Sequence, residues 1–376
     1  MRFGPAGAAV AALIVAACAT QQPGPRPSSP NRPQPTQPAP APAPRLELSH
    51  LPGWRSEDHA AAFAAFQSTC GAAVDSAMAE VCRRARARAA SDDRQARAFF
   101  EENFRAEVST GEGVLTGYFA PEYPARTRPD AEFSAPVRPK PSDLVVSTPS
   151  PGRSVVSRKV GSRLEPYPDR AAIEQAPVVR ALAWMRPEEL FFLQIQGSGV
   201  LTMEDGRRMK AGVAATNGLP FVGIANPMRE RGLLAANNTS GDAIRDWLAA
   251  HKGPEADAVM RLNPRYVFFT LGPDDGLPPM GSARVPLPAG YSIAVDASQH
   301  RMGELFWLDA EAPTLAGAFP AYRRLAMALD TGGAIKGAVR ADLYLGQGAR
   351  AGAEAGRVRH TLRMYKLAPR VGPQPR

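Results

Sequence analysis

The sequence predicts a mainly β protein with a block of helices near its N-terminus. Two observations carry the prediction. Between Asp58 and Phe104 alanine dominates, and large apolar residues such as Phe63, Phe66, Phe99, Phe100 and Phe104 recur at roughly helical spacing. From Gly111 onward the texture changes to short apolar runs closed by glycine, proline or acidic turn residues. A third observation bounds the domain count. Of 376 residues 38 are proline, and ten of these crowd into Gln21–Arg45. Proline at about twice its ordinary usage, so concentrated, marks a linker. The remainder, about 330 residues, is enough for one large domain or two ordinary ones. Apolar residues make up 44%, which permits a real core and excludes wholesale disorder. No apolar run long enough to span a bilayer occurs past the N-terminus, which excludes a polytopic membrane protein.

The first residues read as an address. Arg2 precedes the apolar run Ala8–Ala17, and Val15-Ala16-Ala17-Cys18 closes it. A short apolar run ending in small residues is a secretory signal rather than a spanning helix. The placement of Cys18 resembles the bacterial lipoprotein cleavage box, in which the cysteine is lipidated. Ala19, in place of an aspartate, resembles the outer-membrane sorting pattern of Gram-negative cells. The expectation is a signal at residues 1–18 and a Pro-rich linker at 19–45, holding the body at the periplasmic face of the outer membrane. Export into an oxidising compartment allows Cys70 and Cys82 to pair. One straight helix would hold them about 18 Å apart, so pairing requires a break, for which Gly71 is the candidate. Two buried thiols are the alternative.

The remaining elements follow in order. The basic run Arg83–Arg88 reads as a solvated helix face, since no aromatic residues interleave it. A net charge of +9 and a pI near 9.8 permit nucleic-acid binding without indicating it, and none is expected. Gly113–Phe119 reads as a strand. Residues 121–168 are rich in proline, serine and arginine and lack long helical patterns. Leu190–Gln196 reads as a strongly apolar strand closed by Gly197-Ser198-Gly199, and Glu204-Asp205-Gly206 as a hairpin turn. Gly241–Arg261 returns to helix, capped by Ser240 or Asp242, and Tyr266–Thr270 is a strand. The last hundred residues alternate short β-runs with turns.

The chemistry-bearing residues are aspartates. None of the five histidines sits in a metal-binding spacing, and no phosphate loop or dinucleotide fingerprint is present, so no metal or cofactor is expected. Ser198 has no histidine placed to serve it as a nucleophile. Asp296, Asp330 and Asp342 each close or occupy a β-run within one β-rich region. Alternation puts Val339, Ala341, Leu343 and Leu345 on one face of the last run and Arg340, Asp342 and Tyr344 on the other, so Asp342 points away from the apolar layer. Asp330 precedes Thr331-Gly332-Gly333, a turn that lets a ligand or a second backbone approach closely. Taken singly, each aspartate would also serve as a turn or cap residue.

Together these runs resemble the three-aspartate domain of the membrane-bound lytic transglycosylase A family. The matching stretches are Ala328–Gly337 followed by Ala341–Gly346, with Leu115–Pro121, Phe192–Gly199, Asn263–Phe269, Val285–Gly290 and Ala294–Asp296. The resemblance spans roughly residues 46–369. It implies a double-psi β-barrel from residues 46–120 and 271–370, interrupted by a smaller β domain at 121–270, with a glycan groove between them. It also implies cleavage of the β-1,4 bond between N-acetylmuramic acid and N-acetylglucosamine in peptidoglycan, leaving a 1,6-anhydro end. Asp342 matches the family's acid/base, and Asp330 and Asp296 match its supporting aspartates. Thr116, Gln196 and Ser198 are then candidates to hydrogen-bond the sugar, Tyr118 to stack on a pyranose, and Lys336 to counter a charge or orient Asp330. The implied partners are peptidoglycan strands, an outer membrane reached through a lipid anchor, and murein-synthesis or division complexes.

A single acid suits this reaction. An ordinary glycosidase needs two carboxyl groups. Here the sugar's own O6 is the nucleophile and is already in place, so one group protonates the departing O4 and then accepts the O6 proton. That group must be protonated at rest, and its pKa must be raised by burial or by a neighbouring carboxylate. Two rival readings remain open. An aspartic protease would need a second copy of the Asp330-Thr331-Gly332 motif, and the chain has one. A non-catalytic peptidoglycan-binding lipoprotein of the same fold would bind murein without releasing fragments.

Overall fold

The computed structural model describes residues 45–89, 92–150, 153–235, 238, 240–313 and 321–370. The expected signal, the linker up to its last residue and Cys18 lie outside them. The described chain opens with β1 (Arg45–Leu46), then α1 (His59–Thr69), α2 (Ser76–Arg86) and α3 (Asp93–Asn103). Each helix has an aspartate N-cap: Asp58 accepts from Ala61 N, Asp75 from Met78 N and Asp92 from Gln95 N. Residues 70–72 form a single 3-10 turn that breaks the chain between α1 and α2. The break brings Cys70 and Cys82 to a Cα separation of 5.5 Å, and they are disulfide-bonded. Phe63, Phe66, Phe99, Phe100 and Phe104 pack edge-on or tilted with centroids 4.9–6.4 Å apart. Burying each contributes about 1.5–3 kcal/mol.

The helices end at Asn103, and Phe104, the last of the spaced phenylalanines, already belongs to the next element. Phe104–Val108 is a strand, β2, and Gly113–Ala120 is β3. A Cβ on Gly113 would lie 1.5 Å from the Val339 carbonyl oxygen, so only glycine lets β3 begin against its neighbour.

Residues 122–273 build separate sheets. They comprise β4 (Glu122–Pro124), β5 (Ala135–Val137), β6 (Leu144–Ser150), β7 (Arg153–Val160), β8 (Arg163–Pro166), α4 (Arg170–Gln175), β9 (Ala183–Met185), α5 (Pro187–Gln196), β10 (Ser198–Thr202), β11 (Arg208–Thr216), α6 (Ala225–Glu230), α7 (Gly241–Ala250), α8 (Pro254–Met260) and β12 (Val267–Pro273). The main sheet runs β12-β11-β10-β4, beside a β5-β9 pair and a β6-β7-β8 sheet. Two expectations are corrected here. Leu190–Gln196 is helix, not strand. Pro187 at the first turn, Glu188 and Glu189 near the positive helix end, and Gly197 in the left-handed region (φ 84°) start and stop it. Leu190 and Leu193 face the sheet while Phe191 and Phe192 face α6–α8, so burial on both sides erased any periodicity. Residues 241–261 are two helices, because Gly253-Pro254 breaks them; Ser240 caps the first.

The C-terminal part supplies β13 (Ser292–Val295), β14 (Leu305–Pro313), β15 (Tyr322–Thr331), β16 (Arg340–Gln347), α9 (Gly348–Ala355) and β17 (Arg359–Pro369). These strands join β3 in the order β17-β14-β15-β13-β16-β3, and β17 also pairs with β3, which closes a six-stranded barrel. Ile293, Phe306, Leu308, Ala328, Leu343 and Met364 are among the residues that fill its interior. On the outer face Trp307, Leu325, Met327 and Leu367 pack against the helical block. The barrel's mixture of parallel pairs (β13 with β15, β16 with β3) and antiparallel pairs decides which side chains meet outside it.

Candidate active site

One row of side chains crosses four barrel strands. Thr116 on β3 is opposite Asp342 on β16, Asp342 is opposite Ala294 on β13, and Ala294 is opposite Asp330 on β15. The two carboxyl groups therefore start two strands apart, about 9–10 Å between backbones. Only the methyl group of Ala294 stands between them.

Simple alternation would not bring them to one face. Ala326 and Ala328 point into the barrel, so Asp330 would follow them. The β13–β15 register shifts between Ile293, opposite Ala328, and Ala294, opposite Asp330. Leu329 is the extra residue of this bulge, and its side chain joins the outer core. The bulge turns Asp330 outward to the face that carries Asp342.

The row lies in a cleft of about 860 Å³ whose further lining comes from the end of α5, from β11 and β12, and from Phe221. Asp342 accepts a hydrogen bond at Oδ1 from the Thr116 hydroxyl, and Thr116 in turn accepts from Arg340 Nη2 at 2.9 Å. Burial raises the Asp342 pKa above its ordinary value. The Thr116 hydrogen bond and the Arg340 charge pull against it, while the Asp330 charge adds to it. Desolvation is thus the dominant of the two levers considered from sequence.

Asp330 is held differently. Ser282 donates to its Oδ1 through both N (3.0 Å) and Oγ (2.7 Å), and Tyr118 OH donates to Oδ2 at 3.0 Å. Tyr118 is only 8% exposed and its ring lies 5.3 Å from that of Tyr344, so it offers the cleft a hydroxyl rather than an open ring face. Burial and the Asp330 charge push its pKa well up, which keeps it a neutral donor. Asp296 is buried and does not line the cleft. It accepts from Ser298 N, Ser298 Oγ and Gly337 N, pinning the loop after Asp330. Burial works to raise its pKa, but these hydrogen bonds and the Lys336 charge outweigh it and leave the pKa lowered. Lys336 reaches Asp296 at 3.9 Å and is exposed; Asp330 is not its partner. Gln196 ends α5, where its Oε1 accepts from Phe119 N at 3.3 Å, and Ser198 opens β10; both line the cleft.

Sequence reasoning missed Ser282, Ala294, Phe221 and Arg265, all in the cleft lining. Arg340 was legible, since alternation puts it on the Asp342 face. Ser282 carries no local signal, because its role depends on a loop returning to β15.

Comparison with known proteins sets the class. Residues 114–270 match the MltA specific insert domain and residues 291–368 match the 3D domain. The membrane-bound lytic murein transglycosylase A of Vibrio cholerae is 33% identical over 263 residues, 68% of this chain and 66% of that protein, just under two thirds of its length. The crystal structure of a membrane-bound lytic murein transglycosylase from Agrobacterium tumefaciens superposes with a TM-score of 0.76 at 30% identity, covering 88% of this chain and 98% of that one. Escherichia coli MltA with bound chitohexaose superposes at 0.64 and 25% identity, covering 89% and 93%. The chain belongs to the membrane-bound lytic murein transglycosylase A family. Among the described residues no helix is long and apolar enough to cross a membrane.

Proposed function

We propose that this member of the family cleaves the β-1,4 bond between N-acetylmuramic acid and N-acetylglucosamine in peptidoglycan, with Asp342 as its single general acid and base. The observation that carries the reading is the desolvated Asp342 carboxyl on the floor of an open cleft. A carboxyl raised in this way is suited to carry a proton at rest. Thr116 donates to Oδ1, which leaves Oδ2 to carry the acid proton. As the bond between C1 and O4 breaks, that proton passes to O4. O6 of the same sugar then bonds to C1 and its proton returns to Asp342, so no water is consumed. The Thr116 hydroxyl, oriented by Arg340, stabilises the carboxylate that forms between the two transfers. Asp330 keeps the cleft acidic and holds Tyr118 and Ser282 in place, and Asp296 buttresses its loop.

Digestion of purified sacculi followed by fragment masses tests the reading. Anhydro ends are expected. Reducing ends would mean a hydrolase, and binding without soluble fragments would mean a glycan-binding protein. We also propose that Cys18 carries the lipid anchor at the periplasmic face of the outer membrane. Cys18→Ser should then abolish incorporation of labelled fatty acid and release the protein from the membrane fraction; retention of label would refute it.

A further inference from the structure

Among the described residues three cations line the cleft, and two are neutralised within the protein. Lys210 is paired with Asp275, and Arg170 is paired with Glu174 at 3.2 Å. Arg265 has no carboxylate partner among the described residues. Its only side-chain hydrogen bond among them runs from Nη1 to the Leu219 carbonyl at 3.2 Å. The side chain is half-buried, and burial pulls its pKa down with no acid to restore it. A guanidinium so placed is kept at a cost unless an anion joins it.

Its position is built rather than incidental. Asn263 Oδ1 accepts from Arg265 N at 3.2 Å, and Arg170 Nη2 donates to Arg265 O at 2.7 Å. The residue is thereby fixed two residues before β12, a strand that lines the cleft. Gly333, in the turn after Asp330, lies against the guanidinium: a Cβ there would stand 3.5 Å from Arg265 Cζ. The unpaired cation thus sits against the turn that follows Asp330.

N-acetylglucosamine carries no charge, whereas muramic acid carries a lactyl acid, either bare or extended by a stem peptide ending in carboxylates. We infer that Arg265 binds a carboxylate hung from the muramic acid lactyl group and so sets which sugar of the alternating strand enters the cleavage position. A planar guanidinium suits this task because it engages a carboxylate through two parallel N–H donors. The inference rests on the glycan-cleaving reading and names the part of the substrate that the same cleft selects.

The test reads binding to the full chain carrying Asp342→Asn, so that turnover does not interfere. The probes are chitohexaose, peptide-free murein strands and peptide-bearing murein strands, compared with and without Arg265→Ala or Arg265→Lys. Arg265→Ala is expected to weaken an anionic strand about tenfold or more while chitohexaose stays within about twofold. Arg265→Lys should recover part of the loss. A loss with peptide-free strands assigns the lactyl carboxylate, and a loss confined to peptide-bearing strands assigns the stem peptide. Unchanged affinity for both anionic strands, or an equal loss on chitohexaose, overturns the inference. Unaltered thermal unfolding checks that each variant is folded. Failure of the wild-type protein to release anhydro products would instead count against the glycan-cleaving reading and leave these binding results standing.

Discussion

Thr116 and Asp342 are paired residues of neighbouring parallel strands, and the hydroxyl of the first donates to the carboxyl of the second. The hydrogen bond lowers a pKa that burial raises. Thr116→Val keeps the shape and removes the donor, so the Asp342 pKa should rise further. On the proposed role of Asp342 as a protonated acid, activity falls as pH rises through that pKa. The alkaline limb of the pH–rate profile on murein should therefore move to higher pH, with the maximal rate reduced about tenfold. A limb that stays put or moves down would contradict the relay.

Asp342→Asn should cost on the order of 10² or more in turnover while glycan affinity is kept. It should also stabilise the fold at neutral pH. A raised folded pKa means that the native state holds the proton longer than the unfolded chain. The stabilising contribution is full below the ordinary value of 3.8 and is lost as pH rises through the folded pKa. Thermal unfolding at pH 8 should thus show a higher Tm for the variant, and at pH 4 no such gain.

Glu57 supplies a second pH dependence far from the cleft. Its Oε2 accepts from Leu325 N at 2.6 Å and its Oε1 from Asp58 N at 3.0 Å, tying the helical block to β15. Burial dominates over these hydrogen bonds and the Arg324 charge, and its pKa is pushed up to about 7. The sign is the same as for Asp342: stability is full below about 4.5 and falls as pH rises through about 7, by roughly 3 kcal/mol. Glu57→Gln should flatten Tm across that window, which a pH series of melting curves measures.

Removing the disulfide with Cys70→Ala and Cys82→Ala should lower stability by about 3 kcal/mol, the entropy of the loop that it closes. Denaturant melts of the oxidised protein and the double variant give the difference, and activity of the folded variant should be unchanged.

Much of this was legible in the chain. The phenylalanine spacing marks the helical block, and alternation along β16 already separates Asp342 from Ala341 and Leu343. What stayed hidden depends on neighbours distant in sequence. Leu190–Gln196 looks like a strand because layers on both sides of α5 demand apolar residues. Lys336 lies near Asp330 in sequence, yet the loop that Asp296 pins carries it to Asp296 instead. The meeting of Asp330 with Asp342 rests on β13 lying between them, an arrangement that no local pattern encodes.

The extra residue at Leu329 acts as a reading-frame shift in the direction of side chains. Upstream of it the even-numbered residues Ala326 and Ala328 face the lumen of the barrel, and downstream Asp330 faces the cleft. The mouth of the cleft can therefore change its chemistry without any rearrangement of the hydrocarbon within. By the same logic, straightening the bulge while keeping Leu329 would swing a carboxylate from the cleft wall toward an oily interior, disarming the site and burdening the fold in a single step.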